Sequence, residues 1–146
     1  MTIDDSFDVD APIDKVWPLL QDVPKVASCI PNAEITEVVN ATTYKAKVKV
    51  KAGPAAVDYK ATIYVEEMDN VTHTARLRVQ GDESRGRGGI KATVVSQATD
   101  IGGKTHVTLH TEAQISGIVA TIGGRLIEGV AKKTVAEFAA NLANLL

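Results

Sequence analysis

Aromatic side chains make up only 4% of this 146-residue sequence: two phenylalanines, three tyrosines and one tryptophan. Aromatics usually supply much of the bulk of a core, so this core must be filled by aliphatic groups or remain underfilled. Cysteine is scarcer still. Cys29 stands alone, which excludes an internal disulfide and a cysteine-ligated zinc site. Set among Val26, Ala27 and Ile30, it reads as a buried, inert thiol. No apolar run reaches the roughly 18 residues of a membrane span. The opening MTIDDSFDVD is acidic and lacks the basic and apolar stretches of a secretion signal, so the expected location is the cytoplasm. Neither sign of charge dominates. The net charge is −2 and the pI about 5.9, which argues against nucleic acid as a partner.

Hydrophobic residues nonetheless reach 45%, and the length fits one domain spanning residues 1–146. Residues 3–10 alternate, with Ile3, Phe7 and Val9 as the apolar set, and predict a first strand. Pro12 opens a short helix over 12–21 with Val16, Leu19 and Leu20 on one face, and Pro24 starts a second that ends at Pro31 and Asn32. From about 33 to 114 the period becomes two, in five clear runs: Ala46–Val50, Val57–Val65, Ala75–Val79, Ile90–Val94 and Val107–Thr111. Turn signals fall at Gly53-Pro54, Asp69-Asn70, Gly81-Asp82 and Gly102-Gly103. This is the pattern of an antiparallel meander with one wet face and one dry face. After Ser116, read as an N-cap, the apolar spacing turns helical through Ile118, Ile122, Leu126, Val130, Val135, Phe138, Leu142 and Leu145. The expected architecture is α+β: a curved antiparallel sheet of about seven strands gripping one long C-terminal helix.

That helix poses a problem. Its first half, ISGIVATIGGRLIEGV (115–130), carries Gly117, Gly123, Gly124 and Gly129, each costing about 0.5–1 kcal/mol relative to alanine inside a helix. The inward positions of the sheet are small as well: Ala46, Ala61, Ala75, Gly81, Gly88, Ala92 and Ala113. Native interiors pack at a density of about 0.75. An empty apolar cavity of ~300 Å³, at ~24 cal/mol per Å³, would forfeit about 7 kcal/mol, comparable to the whole stability of a domain. Composition therefore leaves two readings open. Either the helix packs unusually close to the sheet, or a bound apolar molecule fills the space.

Two stretches carry a family resemblance. FDVDAPIDKVWPLLQDVPKVASCIPNAE (7–34) and GIVATIGGRLIEGVAKKTVAEFAANL near the C-terminus resemble the CoxG family of carbon monoxide dehydrogenase proteins, within the START-like (SRPBCC) helix-grip superfamily. Asn32 stands where that family commonly has glycine. The resemblance implies a cavity between sheet and helix. It further implies an accessory role that links an aerobic, molybdenum-containing carbon monoxide dehydrogenase to the membrane quinone pool. The carried ligand would be a quinone, menaquinone or ubiquinone, with no covalently bound cofactor. The location would be cytoplasmic at the inner face of the cell membrane, with peripheral membrane contact through a tail beyond the domain. A ligand-free docking protein for the same dehydrogenase is the alternative, and a cyclase/aromatase-like enzyme the third.

The residues expected to line the cavity are Tyr59, Ile63, Leu77, Val79, Ile90, Ala92, Val94, Leu109, Ile118, Ile122, Gly123 and Leu126, with Tyr59 as hydrogen-bond donor and Gly123 giving clearance. By parity the central strands place no Asp, Glu, Arg, Lys or His inward, so no catalytic residue is expected. His106 and His110 lie about 13 Å apart along one strand and belong on its wet face, which excludes joint metal ligation. Trp17 reads as packing under the end of the sheet. ESRGRGGIK (83–91) reads as a glycine-rich turn whose Arg85 and Arg87 edge the cavity or meet a partner. Lys45, Lys47, Lys49 and Lys51 form a basic strand face, either a solvated edge or a patch for an acidic partner or anionic lipid.

Overall fold

The computed structural model describes all 146 residues apart from the side chains at positions 52 and 55. Strand β1 (Thr2–Val9) is followed by the short helices α1 (Ile13–Gln21) and α2 (Val23–Ser28). Six further strands follow: β2 (Ala33–Asn40), β3 (Thr43–Ala52), β4 (Ala55–Asp69), β5 (Thr74–Glu83), β6 (Gly89–Asp100) and β7 (Thr105–Ile115). A 3-10 turn (Val119–Ile122) leads into α3 (Gly124–Ala143). The seven strands form one sheet in the order β1-β7-β6-β5-β4-β3-β2, and every neighbouring pair is antiparallel. Consecutive strands thus pair throughout except at the start, where α1 and α2 carry the chain from one edge of the sheet to the other. Asp22 fixes that crossing by accepting the Lys25 N–H at 3.1 Å as the cap of α2.

Packing is concentrated at the two ends of the groove. At the α1–α2 end, Val9, Ala11, Val16 and Cys29 meet Phe138 and Leu142 of α3, with Phe7 edge-on to Phe138 at 5.7 Å between ring centres. Trp17 joins Ala75, Ala98 and Val107 beside this cluster, and its Nε1–H donates to Asn70 Oδ1 at 2.9 Å. Thr105 is fully buried, its hydroxyl donating to the Ala11 carbonyl at 2.8 Å. At the opposite end, Val57, Tyr59 and Val119 form a third cluster with Ile118, Ile122 and Ile127 around it. Between these ends α3 rests chiefly on β1 and touches β3, bridging the strands in the middle.

The structure resolves the glycine problem differently from the sequence expectation. The helix does not begin after Ser116. Gly117 and Gly123 have φ of +81° and +93°, values that glycine adopts without strain, so the chain turns at 117, makes one 3-10 turn and breaks again at 123. Ser116 does not cap a helix; its hydroxyl accepts the Gly89 N–H at 3.1 Å. Gly123 is therefore a hinge in the backbone rather than clearance in a helix face. At Gly117 a Cβ would lie 1.9 Å from the Arg87 carbonyl oxygen and 2.4 Å from Gly88 Cα, so two glycine-bearing turns press backbone on backbone. Gly117→Ala is expected to lower stability by at least about 2 kcal/mol. Gly129, inside α3 with open space around it, should give the reverse on substitution by alanine, a gain of about 0.5–1 kcal/mol. Urea denaturation of both variants checks the contrast.

Two other expectations are corrected. Gly81-Asp82 is not a turn: Gly81 lies inside β5, paired with Ala61 and Ile90, and the chain reverses over residues 84–88. The lysine strand is not an edge either, since β2 covers it.

Candidate ligand-binding cavity

Strand register sorts the concave face into rows. Tyr44, Ile63, Val79, Ala92 and Ala113 are successive partners across β3 to β7. The next row toward α1 runs through Val65, Leu77, Val94, Thr111 and Ile3. On the other side lie Ala46, Ala61, Gly81, Ile90 and Ile115. Alternation forces each of these residues to one face, because successive side chains point oppositely. The two ends of the face are sealed, but its middle is not. Ile63, Val65, Leu77, Val79, Ala92, Val94 and Leu109 are only half-buried beneath the bridging helix. Apolar side chains that face α3 and yet remain in contact with solvent-sized space line a groove rather than a filled core.

Of the residues expected in the cavity, Ile63, Leu77, Val79, Ile90, Ala92, Val94 and Leu109 lie on this face and are half-buried. Tyr59 lies on it too and is buried. Ile118 and Ile122 pack around Tyr59 and Val119, closing the loop end. Gly123 is exposed at the break before α3. Leu126 is 40% exposed and sits over the β3–β4 turn, where a Cβ on Gly53 would meet its Cδ2 at 3.5 Å. The inward stripe of α3 instead runs through Ile127, Val130, Ala131, Thr134, Phe138 and Leu142. Reading the helix from Ser116 displaced its phase by one residue at Leu126.

The expectation of no inward charge also fails. Glu83 is the partner of Tyr59 across β4 and β5, and its side chain is 1% exposed. Parity along Ala75, Leu77, Val79 and Gly81 leads directly to it, but the supposed turn at Gly81-Asp82 hid the continuation. Burial pushes the Glu83 carboxyl up, yet the Arg87 guanidinium, bonded through Nε, and the Arg85 N–H at 2.6 Å more than offset it, so the group is held below the usual carboxylate range. Arg87 is thereby tied to the turn rather than free to meet a partner. The Tyr59 hydroxyl is buried without a hydrogen-bond partner, and burial first, then the Glu83 charge, raises its pKa above 10.0.

The outer face carries Lys45, Lys47, Lys49 and Lys51, all exposed or half-exposed. Glu37 and Glu34 of β2 oppose Lys45 and Lys47, and Lys49 lies 4.0 Å from Asp58. His106 and His110 are on the outer face as expected, and their Nδ1 atoms bond Asp8 and Asp4 across β1 and β7. The Asp4 contact raises the His110 pKa above 6.5. Its contribution to stability is therefore present at low pH and is lost as pH rises through the folded-state value. NMR titration should place the His110 midpoint above 6.5, and Asp4→Asn should lower it. Among the described residues no three His, Cys, Asp or Glu side chains come together as metal ligands, and no helix is long and apolar enough to cross a membrane.

A seven-stranded antiparallel sheet curved around a C-terminal helix, with two short helices after the first strand, defines a START-like helix-grip protein. A conserved protein from Geobacillus kaustophilus is similar at 26% identity, with 99% of this chain and 93% of that one covered and a TM-score of 0.87. A START superfamily protein from Mycobacterium smegmatis shares the fold at 14% identity, covering 98% and 94%, with a TM-score of 0.66. The ZhuI aromatase/cyclase from Streptomyces sp. R1128 does so at 15%, covering 99% and 92%, with a TM-score of 0.68. Among curated protein sequences none matches. The chain belongs to the carbon monoxide dehydrogenase CoxG family, whose model matches residues 6–146.

Proposed function

We propose that this protein carries a hydrophobic small molecule in the groove between the sheet and α3 and performs no chemistry on it. The observation that carries this reading is the half-buried apolar middle of the concave face, lying between two sealed ends. An apolar lining open to solvent is unfavourable when empty, and covering it with a ligand recovers about 25 cal/mol per Å² buried. The family name supports a partner, a carbon monoxide dehydrogenase. A respiratory quinone suits both: its isoprenoid tail matches the aliphatic rows, and its ring carbonyls need a donor. In this reading the protein works at the inner face of the cell membrane and moves an electron carrier rather than electrons.

A docking role for the lysine face alone leaves the groove unexplained. The aromatase/cyclase likeness is one of fold, and the polar groups present suit catalysis poorly. Both Glu83 oxygens are engaged, and a tyrosine with a raised pKa exchanges protons poorly near neutral pH. Organic extraction and mass spectrometry of protein purified from a quinone-making host tests the proposal. A stoichiometric quinone is expected. A clean extract, repeated after incubation with quinone and lipid, would move the balance to docking.

A further inference from the structure

Helix α3 crosses the concave face obliquely. Its first turn sits over the β3–β4 turn, where Leu126 lies beside Gly53. Its last turns reach the edge strand β1, where Phe138 meets Phe7 and Leu142 meets Val9. A helix laid corner to corner leaves two corners of the face uncovered. In one of them α2 packs on β2. The other lies over the loop end of β7, and an open recess of about 400 Å³ remains there.

The recess is continuous with the groove. Its walls include Ala113 and Ile115 of β7, Ile127 and Gly124 of α3, and Ala120 of the 3-10 turn. Ala113 is the register partner of Ala92 at the centre of the face. Ile127 belongs to the inward stripe of α3 and is half-buried, as is Ile115. The residues that border the gap from outside, Ala120 and Gly124, are small and exposed. Only the methyl end of Met1, a flexible thioether, approaches Gly124, 3.4 Å from where a Cβ would stand. The helix starts here without a side-chain cap, so its first turn opens at lower cost than its interior. A second recess, beside α1 and α2, is lined by Pro18, Asp22, Pro24 and Tyr44 but by no residue of α3. Its proline walls are stiff, and its carboxylate disfavours an apolar passage.

We infer that the ligand enters and leaves the groove through the gap between β7 and the start of α3, and that Ala113, Ala120 and Gly124 keep this passage open. The inference rests on the carrier reading above and adds the route to it. An apolar chain passing the gap runs along Ala113 to Ala92, over the two smallest side chains of its row. An obstruction at a doorway raises the barrier to entry and to exit alike. It slows both rates and cancels from their ratio, the dissociation constant. An obstruction inside the binding site instead weakens affinity.

Stopped-flow fluorescence with N-phenyl-1-naphthylamine, a neutral apolar fluorophore that brightens out of water, reads both rates. Gly124→Leu is the obstructing variant, because position 124 is helical and leucine is the better helix former. Association and dissociation are both expected to slow by at least about tenfold, since a side chain must be displaced at each passage. The Kd should stay within about twofold of wild type. Ala120→Phe, on the exposed side of the same gap, should act alike and serves if Gly124→Leu fails to fold. Pro18→Phe, at the second recess, should change neither rate. Unchanged rates in the folded gap variants overturn the inference, as does slowing by Pro18→Phe in their place, and the carrier reading survives both results. Loss of affinity without matched slowing also overturns it, because the gap then belongs to the binding site and not to the route. A wild-type protein that binds no fluorophore overturns the carrier reading itself.

Discussion

Ala92→Trp is expected to abolish quinone binding, weakening it by more than about a hundredfold, while the protein stays folded. Ala92 sits at the centre of the concave face, flanked in register by Val79 and Ala113, and is half-buried rather than sealed. In a close-packed core an indole at that position would force neighbours apart at about 1–3 kcal/mol or more. In an open groove it occupies existing space and covers the aliphatic rows that the ligand would otherwise cover. The two packing descriptions therefore predict opposite patterns. Groove filling leaves the urea midpoint close to its wild-type value and removes the ligand. Core overpacking shifts the midpoint strongly, whatever the ligand does. Normal quinone binding by a folded Ala92→Trp protein would place the ligand somewhere other than this face.

Leu142→Ala costs about 3–5 kcal/mol, a large part of the roughly 5–15 kcal/mol that holds a domain of this kind together. Leu142 is 1% exposed and packs with Val9, Ala11, Val16, Cys29 and Phe138. Because α3 bridges the middle of the sheet, its attachment depends on the cluster at each end. Deleting the Leu142 side chain opens a cavity in one of those two anchors. Leu126→Ala provides the contrast. Leu126 belongs to the same helix but is 40% exposed, and its removal should cost less than about 1 kcal/mol. Urea denaturation of the two variants separates an end-anchored helix from one packed along its whole length. Similar costs for both would contradict the bridging arrangement.

The strands were legible because alternation is local. Lys45 to Lys51 and Val57 to Val65 could face only one way once a single residue of each run was placed, and Ile63, Leu77, Ala92 and Leu109 followed by parity. The family was legible as well, from the two end segments. What failed depended on where elements begin. A strand that carries Gly81 in its interior looks like a strand that ends there, and the error concealed Glu83. A glycine-rich run looks like a weak helix when it is two sharp turns with φ of +81° and +93°, and moving the true start to Gly124 transferred the inward stripe from Leu126 to Ile127. Periodicity gives the face of each residue but not where an element starts or stops, because each of these boundaries is set by a contact distant in sequence. In one, Gly81 lies between Ala61 and Ile90. In the other, Gly117 lies against Arg87 and Gly88.

Whether a hydrophobic ligand occupies the concave face beneath α3 is tested most directly by methyl-resolved NMR during titration with a short-tailed quinone. Saturable shifts should appear at Ile63, Leu77, Val79, Val94 and Leu109, with Val71 and Ile101, which are exposed outside the groove, unmoved. Shifts confined to those exposed methyls, or none that saturate, would contradict the account.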